Sequence, residues 1–237
     1  MTETVSAGAG AGAGPIRVDL WADIACPWCY LGVTRLDRAL AESDEDVVVR
    51  HRPYMLNPGL PPDGVPMAGY LEALMGSAEA VADGHARLTA LGAEVGIAYD
   101  FAAVGKAPNT RLVHHLLVSY DGDPRQHAVE LAFYSAYFER GLDVTDAATL
   151  VEVTTAVTGE SEAEVRTRLE ESMDDLDAAF ALGRDLGISA VPTFIADAGT
   201  DVDPEVGLSA AAVAVQGAQP EDVLRQVLAE ARRRAQA

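Results

Sequence analysis

Cys26-Pro27-Trp28-Cys29 holds both cysteines of the chain, two residues apart and directly after an apolar run. Pro27 suits the first turn of a helix, where its missing N–H costs nothing, so Cys26 is predicted to stand at a strand-to-helix junction. Two thiols at this spacing can form a disulfide across one helical turn. The partial positive charge and free N–H groups of a helix N-terminus favour a thiolate on Cys26. The stretch therefore predicts a redox-active dithiol.

Two other uses of a cysteine pair fit the sequence less well. A zinc site needs two further ligands, and the chain has neither a second cysteine pair nor a closely spaced Cys/His pair. We therefore expect no metal. A structural disulfide across so short a loop would restrict the unfolded chain very little.

The segments on either side of the cysteines predict a strand–helix–strand unit. Residues 16–21 form an apolar strand, and residues from 47 to about 52 form a second one that begins with three valines. The helix between them carries Leu31, Leu36 and Leu40 among charged residues. Since the two strands are joined through a helix, they are predicted to be parallel.

A proline-rich loop at residues 57–66 ends this unit, and a helical block follows. We predict helices over 68–76, 78–95, 110–120, 125–139, 146–158 and 161–182, with no convincing strand among them. Residues 161–164 read Ser-Glu-Ala-Glu, a capping-box pattern that favours a helix start. Within 125–139 the predicted buried face consists of Ala128, Leu131, Ala132, Ser135 and Phe138.

Strand patterns return at residues 192–196 and 211–216, and a terminal helix follows Pro220. The order βαβ, helical block, ββα predicts an α/β protein. Its fold is a thioredoxin fold with a four-stranded sheet and helices on both faces, split by a large inserted all-helical domain. We assign residues 15–60 and 186–237 to the thioredoxin-like domain, 61–185 to the inserted helical domain, and 1–14 to a disordered Ala/Gly tail.

Val191-Pro192 begins the first returning strand and is the second candidate part of the site. A proline there offers no N–H to a strand ladder. A cis Val191–Pro192 bond would turn the chain and leave the backbone of Val191 unpaired, facing the cysteines. An extended peptide or glutathione could pair with that backbone. The alternative is a trans proline at the start of an edge strand.

A carboxylate near Cys29 is expected to handle the proton of its thiol. Asp23 follows the first strand, and if partly buried it would have a raised pKa and could shuttle the proton. The alternative for Asp23 is a solvated loop carboxylate. Asp19, which alternates with apolar residues on the strand, is a weaker candidate.

Charge and composition limit the classes of partner. The 237 residues include 17 Lys and Arg against 37 Asp and Glu, for a net charge of −20. Such a charge argues against nucleic acid or an anionic membrane as partner. No apolar run reaches membrane-spanning length, and the N-terminus lacks the basic and apolar regions of a secretion signal. We therefore expect a cytoplasmic protein, in which a cysteine pair is catalytic or redox-sensing.

Several motifs together carry a family resemblance. In chain order they are Asp23-Ile24-Ala25-Cys26-Pro27-Trp28-Cys29-Tyr30-Leu31-Gly32, Arg52-Pro53-Tyr54-Met55-Leu56-Asn57-Pro58, Asn109-Thr110 with His114, Ala136-Tyr137-Phe138, and Val191-Pro192-Thr193-Phe194 with Gly217-Ala218-Gln219. On these motifs the chain resembles the DsbA-like thioredoxin family and, within it, the cytoplasmic FrnE-type branch.

The resemblance implies the inserted helical domain, a cis proline at Pro192 and dithiol–disulfide oxidoreductase chemistry. It places Asn109, Thr110 and His114 beside the cleft, where they would contact substrate, although Asn109 is equally suited to cap a helix. Pro27 and Trp28 would set the redox potential. Since Trp28 brings no positive charge to the thiolate, we expect a potential between those of a thioredoxin and a strong oxidant.

The expected reaction is attack of an exposed Cys26 thiolate on a disulfide, followed by resolution by the more buried Cys29. The substrate would be a disulfide-containing protein or a small thiol. No bound cofactor is expected, glutathione is a candidate co-substrate, and a homodimer is compatible with the sequence.

Two other functions remain open at this point. One is a glutathione-dependent isomerase or transferase resembling 2-hydroxychromene-2-carboxylate isomerase or the kappa-class glutathione transferases, which use a serine in place of Cys26. The other is a non-catalytic, chaperone-like binding module whose disulfide only switches its shape.

Overall fold

The computed structural model describes residues 14–202 and 207–237. The predicted disordered tail, residues 1–14, lies outside these residues except for Gly14. The carbonyl of Gly14 accepts a hydrogen bond from Arg232 at 2.9 Å.

Strands and helices follow one another in nearly the predicted order. The elements are β1 Ile16–Ala22, α1 Pro27–Ala41, β2 Val47–Pro53, β3 Val65–Pro66, α2 Tyr70–Met75, α3 Ala78–Val95, β4 Lys106–Ala107, α4 Arg111–Val118, α5 Gln126–Phe138, α6 Ala147–Thr158, α7 Glu162–Glu170, α8 Asp174–Asp185, β5 Thr193–Asp197, β6 Val213–Gln216 and α9 Glu221–Ala235.

Four strands form the main sheet, in the order β2-β1-β5-β6. β1 and β2 are parallel, as the helix between them requires, whereas β5 is antiparallel to both β1 and β6. In the register of the sheet, Leu20 of β1 lies between His51 of β2 and Phe194 of β5. The predicted four-stranded thioredoxin-like sheet is confirmed.

Helices cover both faces of the central strand. Because side chains alternate along a strand, Leu20 and Trp21 point to opposite faces. Leu20 shares its face with Phe194, whose ring lies close to Gly32 of α1. Trp21 packs against α8, where a Cβ on Gly183 would come within 2.9 Å of the indole nitrogen. Only glycine lets α8 approach this closely.

The segment between β2 and β5 is not all-helical, and that prediction is wrong in one detail. β3 and β4 form a small antiparallel sheet in which Val65 pairs with Ala107 and Pro66 with Lys106. Strands of two residues are too short to produce a periodic sequence pattern. The pairing ties the proline-rich loop to the segment that precedes α4.

The predicted helix over residues 161–182 is two helices. The capping box at its start is present, with Ser161 and Glu164 bonding each other's backbone N–H. The helix then stops at Glu170, and α8 begins at Asp174 after Ser172 accepts a hydrogen bond from the Asp174 N–H at 3.2 Å. The apolar stripe continues through the break, so spacing alone did not show it.

The buried face of α5 also differs from the prediction. Ala128 is exposed, and Leu131, Ala132 and Ser135 are only half-buried. The buried side chains are Gln126, Val129, Glu130, Phe133, Tyr134, Ala136, Tyr137 and Phe138. The face is turned because its two polar members, Gln126 and Glu130, make buried hydrogen bonds to His51.

One apolar core runs through the sheet and the helical segment. Leu20 and Phe194 of the sheet, Leu36 of α1, and Phe133 and Tyr134 of α5 all belong to it. The division into residues 15–60 with 186–237 and residues 61–185 stays a prediction. Among the helices of the described ranges, none combines the length and the apolar character needed to span a membrane.

Candidate active site

Cys26 and Cys29 lie where β1 gives way to α1. Cys26 is the N-cap residue of the helix, with an extended backbone, and Pro27 occupies its first turn. The carbonyl of Cys26 accepts a hydrogen bond from the Cys29 N–H at 3.0 Å. The N–H of Cys26 donates a hydrogen bond to the Asp23 carbonyl at 2.9 Å. Both cysteines are free thiols. The helix start thus fixes the two sulfur atoms side by side.

Neither thiol is exposed at the outer surface. Cys29 is fully buried, as predicted, but Cys26 is only 5% exposed, so the expectation of an exposed Cys26 is wrong. The helical segment covers it, and the remaining access is through a cavity that Cys26 lines. Burial raises the pKa of Cys29 well above its usual value, and contact with Cys26 raises it further.

The cavity has a volume of about 370 Å³, and its wall carries no formal charge among the residues described along it. Its polar members are Asn57, Tyr70, His85 and Tyr137. The apolar members include Pro27, Trp28, Leu56, Leu60, Met67, Leu71, Leu74, Met75, Leu88, Phe101, Val104, Phe138 and Val191. The first of the two cysteines therefore faces an apolar space.

Two features show how this cavity is built. His85 stacks on Phe101 with ring centroids 4.0 Å apart, and burial lowers its pKa, which favours the neutral imidazole. At the rim, Leu56, Leu74 and Met75 are exposed. Exposed apolar side chains next to an apolar cavity are typical of a binding surface.

Pro27 and Trp28, predicted to tune the dithiol, are held by the helical segment. Tyr99 donates a hydrogen bond to the Pro27 carbonyl at 2.6 Å. Arg87 lies over the Trp28 ring, 5.2 Å from its centroid, in a cation–π contact. The two residues between the cysteines therefore have fixed partners on α3 and just after it.

The Val191–Pro192 bond is cis, the isomer expected from the sequence. Val191 lines the cavity, and Pro192 is buried against α1, where a Cβ on Gly32 would come within 2.9 Å of its Cγ. The Pro192 carbonyl accepts a hydrogen bond from Gly217 at 2.7 Å. Within the described ranges the backbone of Val191 has no hydrogen-bond partner.

Asp23 is a buried carboxylate that bonds to two residues of the cavity wall, Leu56 and Ala25. It is 1% exposed, so the solvated-loop alternative is wrong. Its carboxylate accepts hydrogen bonds from the N–H of Leu56 at 2.7 Å and of Ala25 at 3.2 Å. Burial alone would raise the pKa of Asp23, but His114 and the hydrogen-bond donors outweigh it and lower the pKa. The expected raised pKa is therefore wrong.

The three residues predicted to contact substrate lie elsewhere. His114 is fully buried, with Nε2 3.3 Å from Asp23 Oδ1, and Thr110 is the buried N-cap residue of α4. Asn109 ties the backbone, donating to the Leu60 carbonyl and accepting from the Arg111 N–H. None of the three is on the described cavity wall. Of the three, His114 contacts the Asp23 carboxylate.

Beyond His114 the polar contacts continue through residues that the sequence analysis did not select. His114 Nδ1 lies 3.0 Å from His51 Nε2, and His51 Nδ1 lies 3.0 Å from Glu130 Oε1. His51 and Glu130 are buried. Glu130 is the one charged residue between 128 and 138, a signal that could have marked it as a buried acid.

The charges of His114, Glu130 and His127 are set by burial and by neighbouring side chains. Burial alone would raise the pKa of Glu130, but His51 and His127 lower it to about 2. Burial alone would lower the pKa of His127, but Asp37 and Glu130 raise it to about 10. Burial lowers the pKa of His114, although Asp23 opposes this. At neutral pH Glu130 is an anion, His127 a cation and His114 neutral.

Asp19, the weaker candidate for the proton acceptor, has other partners. Its carboxylate accepts hydrogen bonds from Arg52 at 2.7 Å and Arg17 at 2.9 Å. Asp19 is buried, and both of its carboxylate oxygens accept hydrogen bonds from these arginines. It forms part of a charged cluster along β1 and β2, separate from the cysteines.

Comparison with known proteins supports one family. A family model for the DSBA-like thioredoxin domain matches residues 17–229. The crystal structure of a probable DsbA oxidoreductase from Streptomyces coelicolor is 33% identical, with a TM-score of 0.77; the match covers 91% of this chain and 89% of that one. A search of curated proteins found no significant match.

More distant structures share the fold. Cytosolic disulfide reductase DsbM from Pseudomonas aeruginosa, solved with GSH, is 20% identical with a TM-score of 0.59; the match covers 92% of this chain and 99% of that one. A 2-hydroxychromene-2-carboxylate isomerase is 14% identical with a TM-score of 0.59; the match covers 92% of this chain and 95% of that one.

Proposed function

The chain belongs to the DsbA-like thioredoxin family of thiol–disulfide oxidoreductases, and from this premise we propose that Cys26 and Cys29 are its redox-active dithiol. Cys26 is the attacking thiol and Cys29 the resolving thiol. The loop of Val191 and Pro192 holds the substrate beside them. The substrates are disulfides with apolar groups near the sulfur atoms.

The observation that carries the proposal is the position of the pair between two different environments. Cys26 lines an apolar cavity, whereas Cys29 is fully buried. A substrate disulfide in the cavity reaches the first sulfur and not the second. This asymmetry gives the two thiols different roles, which a structural disulfide or a metal ligand pair would not need.

The chemistry proceeds by two exchanges. The Cys26 thiolate attacks one sulfur of the substrate disulfide, a mixed disulfide forms, and the first substrate sulfur leaves as a thiolate. Cys29 then loses its proton and attacks Cys26, so that the Cys26–Cys29 bond forms and the second substrate thiolate leaves. The protein gains the disulfide and the substrate gains two electrons. Run in reverse with a small thiol, the same steps regenerate the dithiol.

The cavity wall supports the choice of substrate. Because no charged side chain lines it, burial of an apolar group there is favourable and burial of a charge is not. Peptide disulfides with apolar neighbours fit this wall, and the unpaired backbone of Val191 offers hydrogen bonds to an extended peptide. Glutathione carries carboxylates at both ends. We therefore place it as an electron donor that reaches Cys26 from the rim.

A glutathione-dependent isomerase or transferase is the second candidate, favoured by the apolar cavity beside Cys26. Such an enzyme does not use Cys29, whose contact with Cys26 argues for the dithiol. A non-catalytic binding module would use the same cavity without turnover. The FrnE-type branch, a cytoplasmic location and a homodimer stay predictions.

The test is a titration of the protein in glutathione redox buffers, followed by Trp28 fluorescence, together with the reduction of insulin by dithiothreitol. We expect a reversible two-electron transition and insulin reduction that Cys26→Ser abolishes. The matched variant Cys29→Ser should still attack and should accumulate a mixed disulfide.

Three results would overturn the proposal. If the wild-type protein shows no reversible transition but binds glutathione tightly, the isomerase or transferase is favoured. A reversible transition without insulin turnover favours the binding module. Equal activity of wild type and Cys26→Ser would exclude Cys26 as the attacking thiol.

A further inference from the structure

The short helix α2 forms part of the wall of the apolar cavity and is the least embedded helix of the described ranges. Four of its six side chains line the cavity, namely Tyr70, Leu71, Leu74 and Met75. Every other helix in the described part of the chain has at least one buried residue, whereas α2 has none. An element that buries no residue has little packing to hold it in place.

The surroundings of α2 are loosely packed as well. A second cavity of about 370 Å³ borders it, with Leu71 and Glu72 in its wall, and Leu71 lines both cavities. Side chains beside a void lack the contacts that close packing supplies. Toward α3, the end of the Met75 side chain approaches Gly84, where an added Cβ would lie 3.2 Å from Met75 Cε. A flexible methionine makes a contact that breaks and re-forms at little cost.

A glycine with a left-handed backbone stands at each end of α2. The φ angle is 78° at Gly69, the N-cap residue, and 92° at Gly76, the C-cap residue. A helix N-cap usually has an extended backbone, so the conformation of Gly69 is unusual for its position. A Cβ at either glycine would meet nothing within 4 Å. Backbone conformation, and not packing, is therefore what glycine supplies at both positions.

The chain is anchored just outside both glycines. Before α2, the Met67 N–H donates a hydrogen bond to the Gly105 carbonyl at 2.9 Å, next to the pairing of β3 with β4. After α2, Ser77 caps α3 and accepts a hydrogen bond from the Ala80 N–H at 3.1 Å. The segment between the two anchors has a flexible residue at each end, so it turns without disturbing either anchor.

Other parts of the cavity wall are fixed more firmly. Leu88 of α3 and the pair Tyr137 and Phe138 of α5 line the cavity and are buried. The Val191–Pro192 loop is held by the Gly217 N–H, which donates a hydrogen bond to the Pro192 carbonyl at 2.7 Å. Among these elements α2 is the one that moves at the least cost.

A protein disulfide needs more room than the cavity provides. Its volume of about 370 Å³ is near the lower end of the roughly 300–1,000 Å³ that is typical of small-molecule pockets. Each half of a protein disulfide continues into polypeptide in two directions. Since Cys26 is only 5% exposed, part of the wall has to move before such a disulfide reaches it.

We propose that α2 is a hinged lid, which turns at Gly69 and Gly76 and determines how large a disulfide reaches Cys26. The inference rests on the proposed function, because it concerns access of substrates to the attacking thiol. Small disulfides enter the cavity with α2 in its described position, and protein disulfides enter when α2 turns outward. Its apolar face, including Leu74, is then available to apolar side chains beside the substrate sulfur atoms.

The experiment measures how reagents of different size reach Cys26. In Cys29→Ser, the parent protein, alkylation reports on Cys26 alone, because the chain has two cysteines. Rates are measured with iodoacetamide, which is small, and with two bulky maleimides, one carrying apolar pyrene and one carrying charged fluorescein. Each rate is divided by that of the same reagent with free glutathione. The access ratio is the corrected maleimide rate divided by the corrected iodoacetamide rate.

The parent protein should exclude both bulky reagents for most of the time. A minor conformation is typically populated to about 0.1–10%, so we expect an access ratio below about 0.1 for both maleimides. The ratio should be the same for the apolar and the charged reagent, because a lid selects by size.

The hinge variants test whether α2 is responsible. Gly76→Ala places left-handed strain in the described position of α2, and turning of the hinge relieves it. The access ratio should therefore rise about fivefold for both maleimides, as roughly 1 kcal/mol of strain predicts. Gly122→Ala is the matched control, since Gly122 has a φ of 81° and no atom within 4 Å of its Cβ but lies between α4 and α5. Its ratio should equal that of the parent.

Gly69→Ala keeps the lid testable if Gly76→Ala does not fold, because the same increase is expected at the other hinge. An access ratio near 1 in the parent, or a ratio that neither hinge variant changes, would overturn the lid. Different ratios for the two maleimides would overturn it too, because affinity for the cavity would then decide access. Alkylation needs no second thiol, so the expected ratios in a protein that does not reduce insulin would contradict the proposed function alone.

Discussion

The two sides of the dithiol differ as sharply as any two regions of this molecule. On the cavity side, Cys26 meets a wall without formal charge. On the polar side, Cys29 is fully buried, burial and contact with Cys26 raise its pKa, and the nearby buried Asp23 begins a network of polar contacts through His114, His51 and Glu130. The comparison teaches that the two thiols are separated by surroundings rather than by distance. In the proposed reaction Cys26 meets the substrate, and Cys29 is the thiol whose proton has to be removed.

The largest effect should come from removing the carboxylate nearest the dithiol. Asp23→Asn keeps the shape but cannot accept a proton, so we expect resolution by Cys29 to slow about 100-fold at pH 7, as the loss of a positioned base does. Attack by Cys26 should be unchanged. The measurement is stopped-flow oxidation of the reduced protein by excess small disulfide, in which a phase that depends on disulfide concentration reports attack by Cys26 and a phase independent of it reports resolution by Cys29.

Asp19→Asn is the control for this change. Asp19 is an equally buried carboxylate on β1, but it bonds to Arg17 and Arg52. If Asp19→Asn slows resolution as much as Asp23→Asn does, the polar side is not specific to Cys29 and the comparison breaks.

A charge placed on the cavity side tests the other half of the comparison. Leu74→Glu puts a carboxylate at the rim, and kcat/KM for a peptide disulfide with apolar neighbours should fall about tenfold, from the loss of roughly 1.5 kcal/mol of apolar burial. Reduction by dithiothreitol, an uncharged small thiol, should change little. Leu74 is 63% exposed, so folding should not suffer.

The control for Leu74→Glu lies far from the cavity. Val48 on β2 is also an exposed apolar residue, at 47%. Val48→Glu should leave both substrates unaffected. An equal loss in both variants would mean that overall negative charge, and not the cavity, decides the rate.

The contact between α1 and the proline loop should show a smaller effect, on stability. A Cβ on Gly32 would come within 2.9 Å of Pro192 Cγ and 3.2 Å of Phe194 Cζ. We expect Gly32→Ala to lower the free energy of unfolding by about 2 kcal/mol through overpacking. Gly59→Ala, with nothing within 4 Å of its Cβ, should have no comparable effect in the same denaturant titration.

The smallest effect concerns the pH dependence of stability at the contact between His127 and Glu130. The pKa of His127 is raised from 6.5 to about 10, so its contribution is complete below pH 6.5 and is lost as the pH rises toward 10. The pKa of Glu130 is lowered from 4.5 to about 2, so its contribution is complete above pH 4.5 and is lost toward pH 2. Both are complete only between pH 4.5 and 6.5.

His127→Gln measures that contribution. We expect wild type to be more stable than the variant by about 1 kcal/mol between pH 4.5 and 6.5, with the difference shrinking on either side. Thermal unfolding at pH 5.5 and pH 9.5 checks this. A constant difference at both pH values would show that the charge of His127 does not contribute.

Local features of this chain could be predicted from sequence because they depend on neighbours in the chain. The strand before Cys26, the helix that Pro27 starts, and the helix over 78–95 all follow from periodicity and capping. The sequence does contain a signal for the break before Asp174, since Ser172 is followed by three aspartates in the first turn of α8. The continuous apolar spacing across the break concealed it.

The candidate site was predicted unevenly for a related reason. The cysteines and Val191-Pro192 are readable as motifs. The buried polar contacts around Asp23 join residues such as His51 and Glu130, which are 79 positions apart, and spacing carries no information about such pairs. The pKa of Asp23 was predicted in the wrong direction because burial could be guessed, whereas His114 and the Leu56 N–H could not.

The buried polar contacts around Asp23 set a limit on modularity. They link the β1–α1 junction, α4, β2 and α5 through Asp23, His114, His51 and Glu130, so they cross between the sheet and the helical segment repeatedly. A minimal scaffold made by joining β2 directly to β5 would keep the main-sheet strands and both cysteines. It would leave Asp23 without His114 and His51 without Glu130. Grafting this dithiol onto another protein therefore requires α4 and α5 to travel with it.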